Sequence, residues 1–267
     1  MPEPSAMSFI GRPKLLGETR RAKILEWLQE EGSARVRTLA EAFEVSEVTV
    51  RQDLERLEAD GHIEREHGGA FLKSVPHQVR SMALQHQENL AAKQRIGRAA
   101  ATLVGNGETL IFDSGSTTTE VAANLLQHRD MTVITNALNI ALMLGATSGF
   151  EVHMTGGHFK APTLSLSGER SADYFAGLFA QTLFLATAAI DVDAGLTFPA
   201  LSDISVKRAM IAAADTVILV ADSSKIGVRS FSSLGGLNLI NTLVTDDGIS
   251  AAHHAAIEAA GVKVIVA

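Results

Sequence analysis

Apolar residues recur at helical spacing among charged neighbours in the first part of the chain. Ile24, Leu25, Trp27 and Leu28 form one stripe, which predicts a helix over Glu18–Glu31 that Gly32 ends. A short extended piece is expected at Ala34-Arg35-Val36, then a second helix over Thr38–Phe43 with Leu39, Ala40 and Phe43 facing inward. Glu44-Val45 makes a tight turn. Ser46 suits the N-cap of a third helix, Glu47–Ala59, because its hydroxyl can accept from amides that the first turn leaves without partners. Val50, Leu54 and Leu57 give that helix its inner face, and Gly61 suits the position just past its end. His62–Arg65 and His67–Phe71 read as two short strands, with Glu66 at or near the turn between them.

The texture changes near residue 75, where Lys73-Ser74-Val75-Pro76 starts a linker with a proline breaker. Beyond about residue 90 the chain is rich in Ala, Val, Leu and Gly, and strand-like and helix-like segments alternate. Strands are expected at Thr109–Phe112, Thr132–Thr135, Val152–Thr155, Leu183–Ala186, Thr216–Val220, Leu243–Thr245 and Val262–Val266. Helices fall between them, notably Thr118–Leu126, Ala137–Leu144, Ser205–Ala214 and Ser250–Ala260. Buried apolar strands separated by helices indicate an α/β fold with a mostly parallel sheet covered on both faces. The expected organisation is a tail at 1–13, a helical and winged unit at 14–72, a linker at 73–90 and an α/β unit at 91–267.

Composition narrows the function classes. The chain of 267 residues has no cysteine, which excludes disulfides, thiolate metal sites and cysteine nucleophiles and fits a reducing cytoplasm. No signal peptide and no apolar run long enough to span a bilayer are evident, so no membrane partner is expected. The net charge is −7, and residues 1–75 carry 11 Lys and Arg against 14 Asp and Glu. Binding to a polyanion therefore needs a local basic face rather than a basic domain.

Helix, short turn, Ser-capped helix and β-wing is the order of a winged helix-turn-helix, whose third helix enters the major groove of double-stranded DNA by its N-terminal half. The candidates there are Ser46, Glu47, Thr49, Arg51 and Gln52. Arg51 can hydrogen-bond guanine or a phosphate in bidentate fashion, and Gln52 can read adenine. Arg65 and His67 on the wing can reach phosphate or a minor groove, and Arg20, Arg21, Lys23, Arg35 and Arg37 can touch the backbone.

In the second unit a strand runs into Asp113-Ser114-Gly115-Ser116-Thr117-Thr118 and then a helix. Free amides at a helix start and the positive end of its dipole favour an anion, above all phosphate. Gly115 lets the backbone approach a ligand, and the hydroxyls add donors. Thr135-Asn136, Gly156-Gly157 and Asp222-Ser223-Ser224-Lys225 follow other strands. Ligands of open α/β sheets lie beyond the carboxyl ends of strands, so these clusters converge on one edge. Lys207 and Lys225 can neutralise a phosphate, with Lys160 and Arg170 as weaker candidates.

The run Arg20, Ile24, Leu28, then Leu39-Ala40-x-x-Phe43-x-Val45-Ser46-x-x-Thr49-Val50-Arg51-x-Asp53-Leu54-x-x-Leu57, then Gly61-x-Ile63-x-Arg65-x-His67-Gly68-Gly69-Ala70 closely resembles the DNA-binding domain of the DeoR family of bacterial transcription regulators. Many members carry a second arginine where this chain has Gln52, and Asp53 reads as a residue that holds neighbouring arginines. The Asp-Ser-Gly-Ser-Thr loop, Thr135-Asn136, Gly156-Gly157, Gly195-Leu196-Thr197, Val206-Lys207-Arg208-Ala209-Met210 and Asp222-Ser223-Ser224-Lys225 resemble, in order, that family's sensor domain. The resemblance implies a fold related to ribose-5-phosphate isomerase and a phosphorylated-sugar effector, with phosphate at 113–118 and Lys207 and Lys225 near the ligand. Ala188 stands where members often have an acid, and Asp203 where many have glutamate. Both changes bear on which sugar hydroxyls are held and leave the phosphate end intact.

The expected function is thus a sequence-specific DNA-binding regulator, a repressor of a carbohydrate catabolic operon, without catalytic residues, metal or cofactor. Self-association as a dimer or tetramer is expected because a single winged module makes few contacts. The alternative is a sugar-phosphate isomerase-like enzyme with an accessory DNA-binding module. Its candidate carboxylates, Asp191 and Asp193, sit in a turn and read as structural. His153, His158, His253 and His254 lack the compact spacing of a metal site.

Overall fold

The computed structural model describes residues 17–31, 33–60, 62–66, 69–72 and 82–267. The chain divides into two compact units, Met1–Pro76 and His77–Ala267. Gly32 and Gly61, expected to end helices, lie outside the described residues, as does the tail expected at 1–13.

In the first unit α1 spans Gly17–Glu31, β1 Ser33–Arg35, α2 Val36–Ala42, α3 Glu47–Ala59, β2 Ile63–Glu66 and β3 Gly69–Leu72. The strands form an antiparallel sheet in the order β1-β3-β2. Val36 is buried and opens α2 instead of extending β1, and Glu66 ends β2, paired with Gly69, next to the turn of the wing as expected. Between α2 and α3 the backbone at Glu44 takes a left-handed φ of 53°, which makes the tight turn. Ile24, Leu28, Leu39, Val50, Leu54, Leu57 and Ile63 are buried together. Each helix thus packs the stripe that its periodicity announced.

In the second unit, chain order is α4 (Met82–Gln87), α5 (Leu90–Ala101), β4 (Thr109–Phe112), α6 (Ser116–Ala123), β5 (Met131–Thr135), α7 (Leu138–Gly145) and β6 (Phe150–Met154). A hairpin follows, β7 (His158–Lys160) and β8 (Ser165–Ser167), then α8 (Glu169–Asp173) and β9 (Ala180–Leu185). The remainder is β10 (Ala189–Asp191), β11 (Gly195–Phe198), α9 (Ile204–Ala212), β12 (Ala214–Val220), β13 (Ser232–Gly235), β14 (Thr242–Thr245), α10 (Ala251–Ala259) and β15 (Lys263–Val266). The stretch 82–90, expected as linker, holds α4 and the start of α5. No helix among the described residues is long and apolar enough to cross a membrane.

The main sheet has seven strands in the order β15-β14-β12-β9-β4-β5-β6, with every pairing parallel. Alternate residues of each strand enter opposite cores. Ile111, Leu183, Leu185 and Leu219 pack with Met210 and Ile257, while Leu110, Phe112, Phe184 and Val220 pack with Ile96, Val121 and Leu144. Phe112 and Phe184 stack at 5.0 Å between ring centroids. Helix α5 lies close on α6, since a Cβ at Gly97 would meet the Glu120 carbonyl at 2.7 Å. From β4 the chain runs outward to β5 and β6, then returns to place β9 on the other side of β4. The reversal leaves a crevice at the carboxyl ends of β4 and β9, the place where such sheets bind ligands.

Candidate functional site

In the first unit, Ser46 caps α3 by accepting from the Thr49 amide at 3.1 Å, and its hydroxyl lies 2.9 Å from that of Thr49. The solvent side of α3 carries Glu47, Arg51 and Gln52. Arg51 donates to Glu47 at 2.7 Å, with its side chain 53% exposed. Arg37 pairs with Glu41, and Arg65 reaches Glu55 at 3.2 Å and Glu58 at 3.5 Å. Arg35 is exposed and makes no ion pair among the described residues.

Arg20 corrects an expectation. Its guanidinium donates to buried Asp53, and Arg21 reaches the same carboxylate at 3.5 Å. Arg20 therefore ties α1 to α3 as a buried residue instead of reaching outward to a DNA backbone, and Asp53 holds arginines as expected. His67 lies outside the described residues.

The second unit encloses a cavity of about 380 Å3 at the crevice between β4 and β9, within the range of small-molecule pockets. Asp113, Ser114, Gly115, Ser116 and Thr117 line it, with Asn136, Lys207, Asp222 and Lys225 from other elements. Helix α6 begins at Ser116, two residues earlier than expected, so Ser116 and Thr117 sit in its first turn, whose amides lack acceptors within the helix. The hydroxyls of Ser114, Ser116 and Thr117 make no hydrogen bond among the described residues. A Cβ at Gly115 would stand 2.7 Å from that of Ala186, so only glycine lets this loop pack against the end of β9.

Asp113 is fully buried and heavily engaged. It accepts from the Ser114 amide at 2.8 Å, the Ala186 amide at 3.0 Å and the Lys207 ammonium. Burial pushes its carboxyl above the ordinary carboxylate range, while Lys207 and the Ala186 amide pull the other way. The Lys207 ammonium also lies 4.6 Å from the centre of the Phe198 ring, another part of the wall. Asp222 accepts from the Asn89 side-chain amide at 2.9 Å and from Ser224. Lys160 donates to Asp203 at 2.6 Å, and Asp203 lines the cavity.

Thr118, Thr135, Gly156 and Gly157 do not line it. Thr118 donates to the Gly115 carbonyl at 2.9 Å, and Thr135 donates to the Phe112 carbonyl at 2.8 Å. The Thr135 hydroxyl satisfies buried backbone at the end of β4, and the Thr118 hydroxyl bonds the N-cap carbonyl of α6. Gly156 and Gly157 sit exposed in the turn between β6 and β7. Arg170 and His158 are exposed as well. Asp191 accepts from the amides of Asp193 and Ala194 and pairs with Arg229 at 2.8 Å. The Arg229 hydrogen bond, with those amides, holds the Asp191 carboxyl down at about 2, so it is a turn-stabilising group.

Several wall residues escape a reading by motif. Thr163, Ser165 and Ser167 come from the β7–β8 hairpin, and Gln85 and Glu88 from the end of α4. Lys93 is the most informative. It lies on the inner face of α5 with Ile96, Gly97 and Ala100, and only 3% of it is exposed. A lysine inside an apolar helical stripe was the available signal. Its ammonium donates to the Glu88 carbonyl at 2.6 Å and to the Gln85 carbonyl. Burial pushes Lys93 below the ordinary lysine value, against the pull of Asp222. The side-chain carbonyl oxygen of Asn136 is buried with no partner among the described residues.

Residues 88–247 match the family described as the DeoR C terminal sensor domain, and residues 20–75 match the DeoR-like helix-turn-helix domain. The chain is similar to the putative aga operon transcriptional repressor of Escherichia coli O157:H7, 32% identical over 259 residues, covering 96% of each chain. It is also 32% identical over 231 residues to the glycerol-3-phosphate regulon repressor of Escherichia coli K12, covering 85% of this chain and 90% of that one. Among solved structures, ribose 5-phosphate isomerase A of Methanocaldococcus jannaschii aligns with a TM-score of 0.38 and 11% identity, covering 52% of this chain and 55% of that one.

Proposed function

Because the chain belongs to the DeoR family of DNA-binding transcriptional regulators, we propose that it represses a carbohydrate catabolic operon and that a phosphorylated sugar or related metabolite, held in the second unit's cavity, sets its grip on operator DNA. The observation that carries this reading is the loop 113–117. Unengaged hydroxyls and the leading amides of α6 face a crevice at the sheet's reversal point, and such a helix start favours phosphate. The hydroxyl-bearing end of the metabolite then lies toward Thr163, Ser165, Ser167 and Asp203. Ala188 leaves one stretch of that wall without a carboxylate.

The cavity's aspartates favour binding over catalysis. Asp113 is held by Lys207, Asp203 by Lys160 and Asp222 by Asn89 and Ser224. A general base needs a carboxylate within reach of a substrate proton, and these three already serve neighbours.

Ser116→Asp tests the phosphate end. A carboxylate there suits a helix start but repels a phosphate. Sugar phosphates, offered beside their unphosphorylated parents, should raise the melting temperature of the native chain, by about 2.7 kcal/mol of apparent stability at a hundredfold excess over Kd. The Ser116→Asp chain should show no such rise while still retarding operator DNA. Equal rises with parent sugars would remove the phosphate from the reading.

The route from cavity to DNA runs through α4, the first described element after β3. The carbonyls of Gln85 and Glu88 are tethered by Lys93, the Asn89 side chain by Asp222, and His86 lies 2.9 Å from Glu120. An anion in the cavity competes with those carbonyls for the Lys93 ammonium and loosens α4. Lys93→Gln should therefore bind operator, without metabolite, as the wild type does with saturating metabolite, a difference of about 5- to 150-fold for a typical coupling energy. An operator titration checks this, and a variant with wild-type affinity and response would separate α4 from the coupling.

A further inference from the structure

Helix α3 buries Val50, Asp53, Leu54 and Leu57, so its outward face is centred on the positions opposite them. Residue 48 sits at that centre, and Arg51, Gln52 and Glu55 follow it at i+3, i+4 and i+7 on the same side. Val48 is 60% exposed there. It is a branched apolar side chain among exposed Glu47, Arg51, Gln52 and Glu55, and it takes no part in the unit's core. Valine is also a poorer helix former than the charged residues around it. Neither packing nor helix propensity accounts for it.

Valine does complement one feature of the surface that α3 addresses. The major groove presents donors and acceptors from every base pair, and thymine adds an apolar 5-methyl group. We infer that Val48 contacts the 5-methyl of a thymine in each operator half-site, beside the base read by Gln52. The inference rests on α3 lying in the major groove. Val48 stands one turn before Gln52 on the same row of the helix, in the N-terminal half that reaches base edges. Gln52 suits adenine, so the two side chains together select an A·T-containing stretch. Arg51, on the flank of that row, reads its own base once Glu47 releases it. Val48 thus adds shape selectivity, because cytosine or guanine at its position offers a polar edge to an apolar side chain.

The test uses the full-length chain and a duplex enriched from a random library by that chain. Each thymine is replaced in turn by deoxyuridine, which removes only the 5-methyl. The wild type should lose about fourfold in affinity at one thymine per half-site, the value of one buried methyl-sized group. Val48→Ala, and separately Val48→Ser, should bind the parent duplex more weakly and show no further loss at that thymine. Both substitutions fall at an exposed helical position, so the fold is retained, as circular dichroism would register. Losses at every thymine that are equal in wild type and variants would overturn the assignment while leaving the DNA-binding role intact. Failure to enrich any duplex would overturn that role, and the inference with it.

Discussion

Lys207→Ala is expected to cost about 3–5 kcal/mol of the second unit's stability, the usual penalty for stranding one member of a buried ion pair. Asp113 is fully buried, and Lys207 supplies the only full positive charge bonded to it among the described residues. The amides of Ser114 and Ala186 remain in the variant but carry partial charges. The deficit should depend on pH, with a sign fixed by the Asp113 carboxyl. Burial raises its folded-state value above the ordinary one, and Lys207 counters that rise. A carboxyl with a raised folded value contributes stability that is present at low pH and lost as pH rises through that value. Removing Lys207 raises it further, so the deficit should be largest at neutral pH and shrink on acidification as Asp113 takes up a proton. Urea titrations of both chains across that range check this. A pH-independent deficit would mean that Lys207 supports the wall by packing on Phe198 rather than by charge. Replacing both partners, Asp113→Asn with Lys207→Met, should recover much of the stability without restoring a metabolite response.

What the sequence made legible follows from how local each signal is. Helix α3 and its Ser46 cap were readable to the residue, because capping and the inner stripe at Val50, Leu54 and Leu57 are local properties. The strands of the main sheet were readable because each is a short apolar run between helices, although their order was not. Order depends on crossovers, and the return that sets β9 beside β4 creates the cavity. The loop 113–117 was legible for the same local reason as a hydroxyl-rich turn from strand to helix, and it lines the cavity. Lys93, Thr163, Ser165 and Ser167 were not, because they reach the cavity from α5 and from the β7–β8 hairpin, distant in sequence from the loop they face. Thr118 and Thr135 show the converse. A hydroxyl beside the cavity loop can serve local backbone instead of the cavity, and hydrogen-bond partners tell the two apart. Arg20 misled because surface charge is the ordinary fate of arginine, whereas Asp53 on the inner face of α3 draws it inward.

Arg51→Ala is expected to abolish specific operator binding while leaving fold and metabolite binding unchanged. Its partner in the free chain is Glu47, four residues earlier on an exposed helical face, and such a pair is worth only about 0.2–0.5 kcal/mol to the helix. On DNA, a bidentate arginine–guanine contact carries about 1–3 kcal/mol of discrimination. A symmetric dimer on two half-sites would lose it twice, about 2–6 kcal/mol, enough to bring specific binding down toward the non-specific level. Residues 1–75 carry 11 basic against 14 acidic side chains, so few phosphate contacts stand ready to compensate, and the dependence of affinity on salt should be shallow. That separates two kinds of arginine. Arg35→Ala, on an exposed residue that forms no ion pair among the described residues, should weaken every duplex alike and lower the salt slope by about 1 for each phosphate left without its cation. Arg51→Ala should instead weaken the cognate duplex selectively and leave the slope on random DNA as it was. Titrations of both variants on cognate and scrambled duplexes over a range of salt decide between these roles. If Arg51→Ala weakens both duplexes equally and flattens the slope, Arg51 grips phosphates and the reading of bases falls to Gln52 and its neighbours.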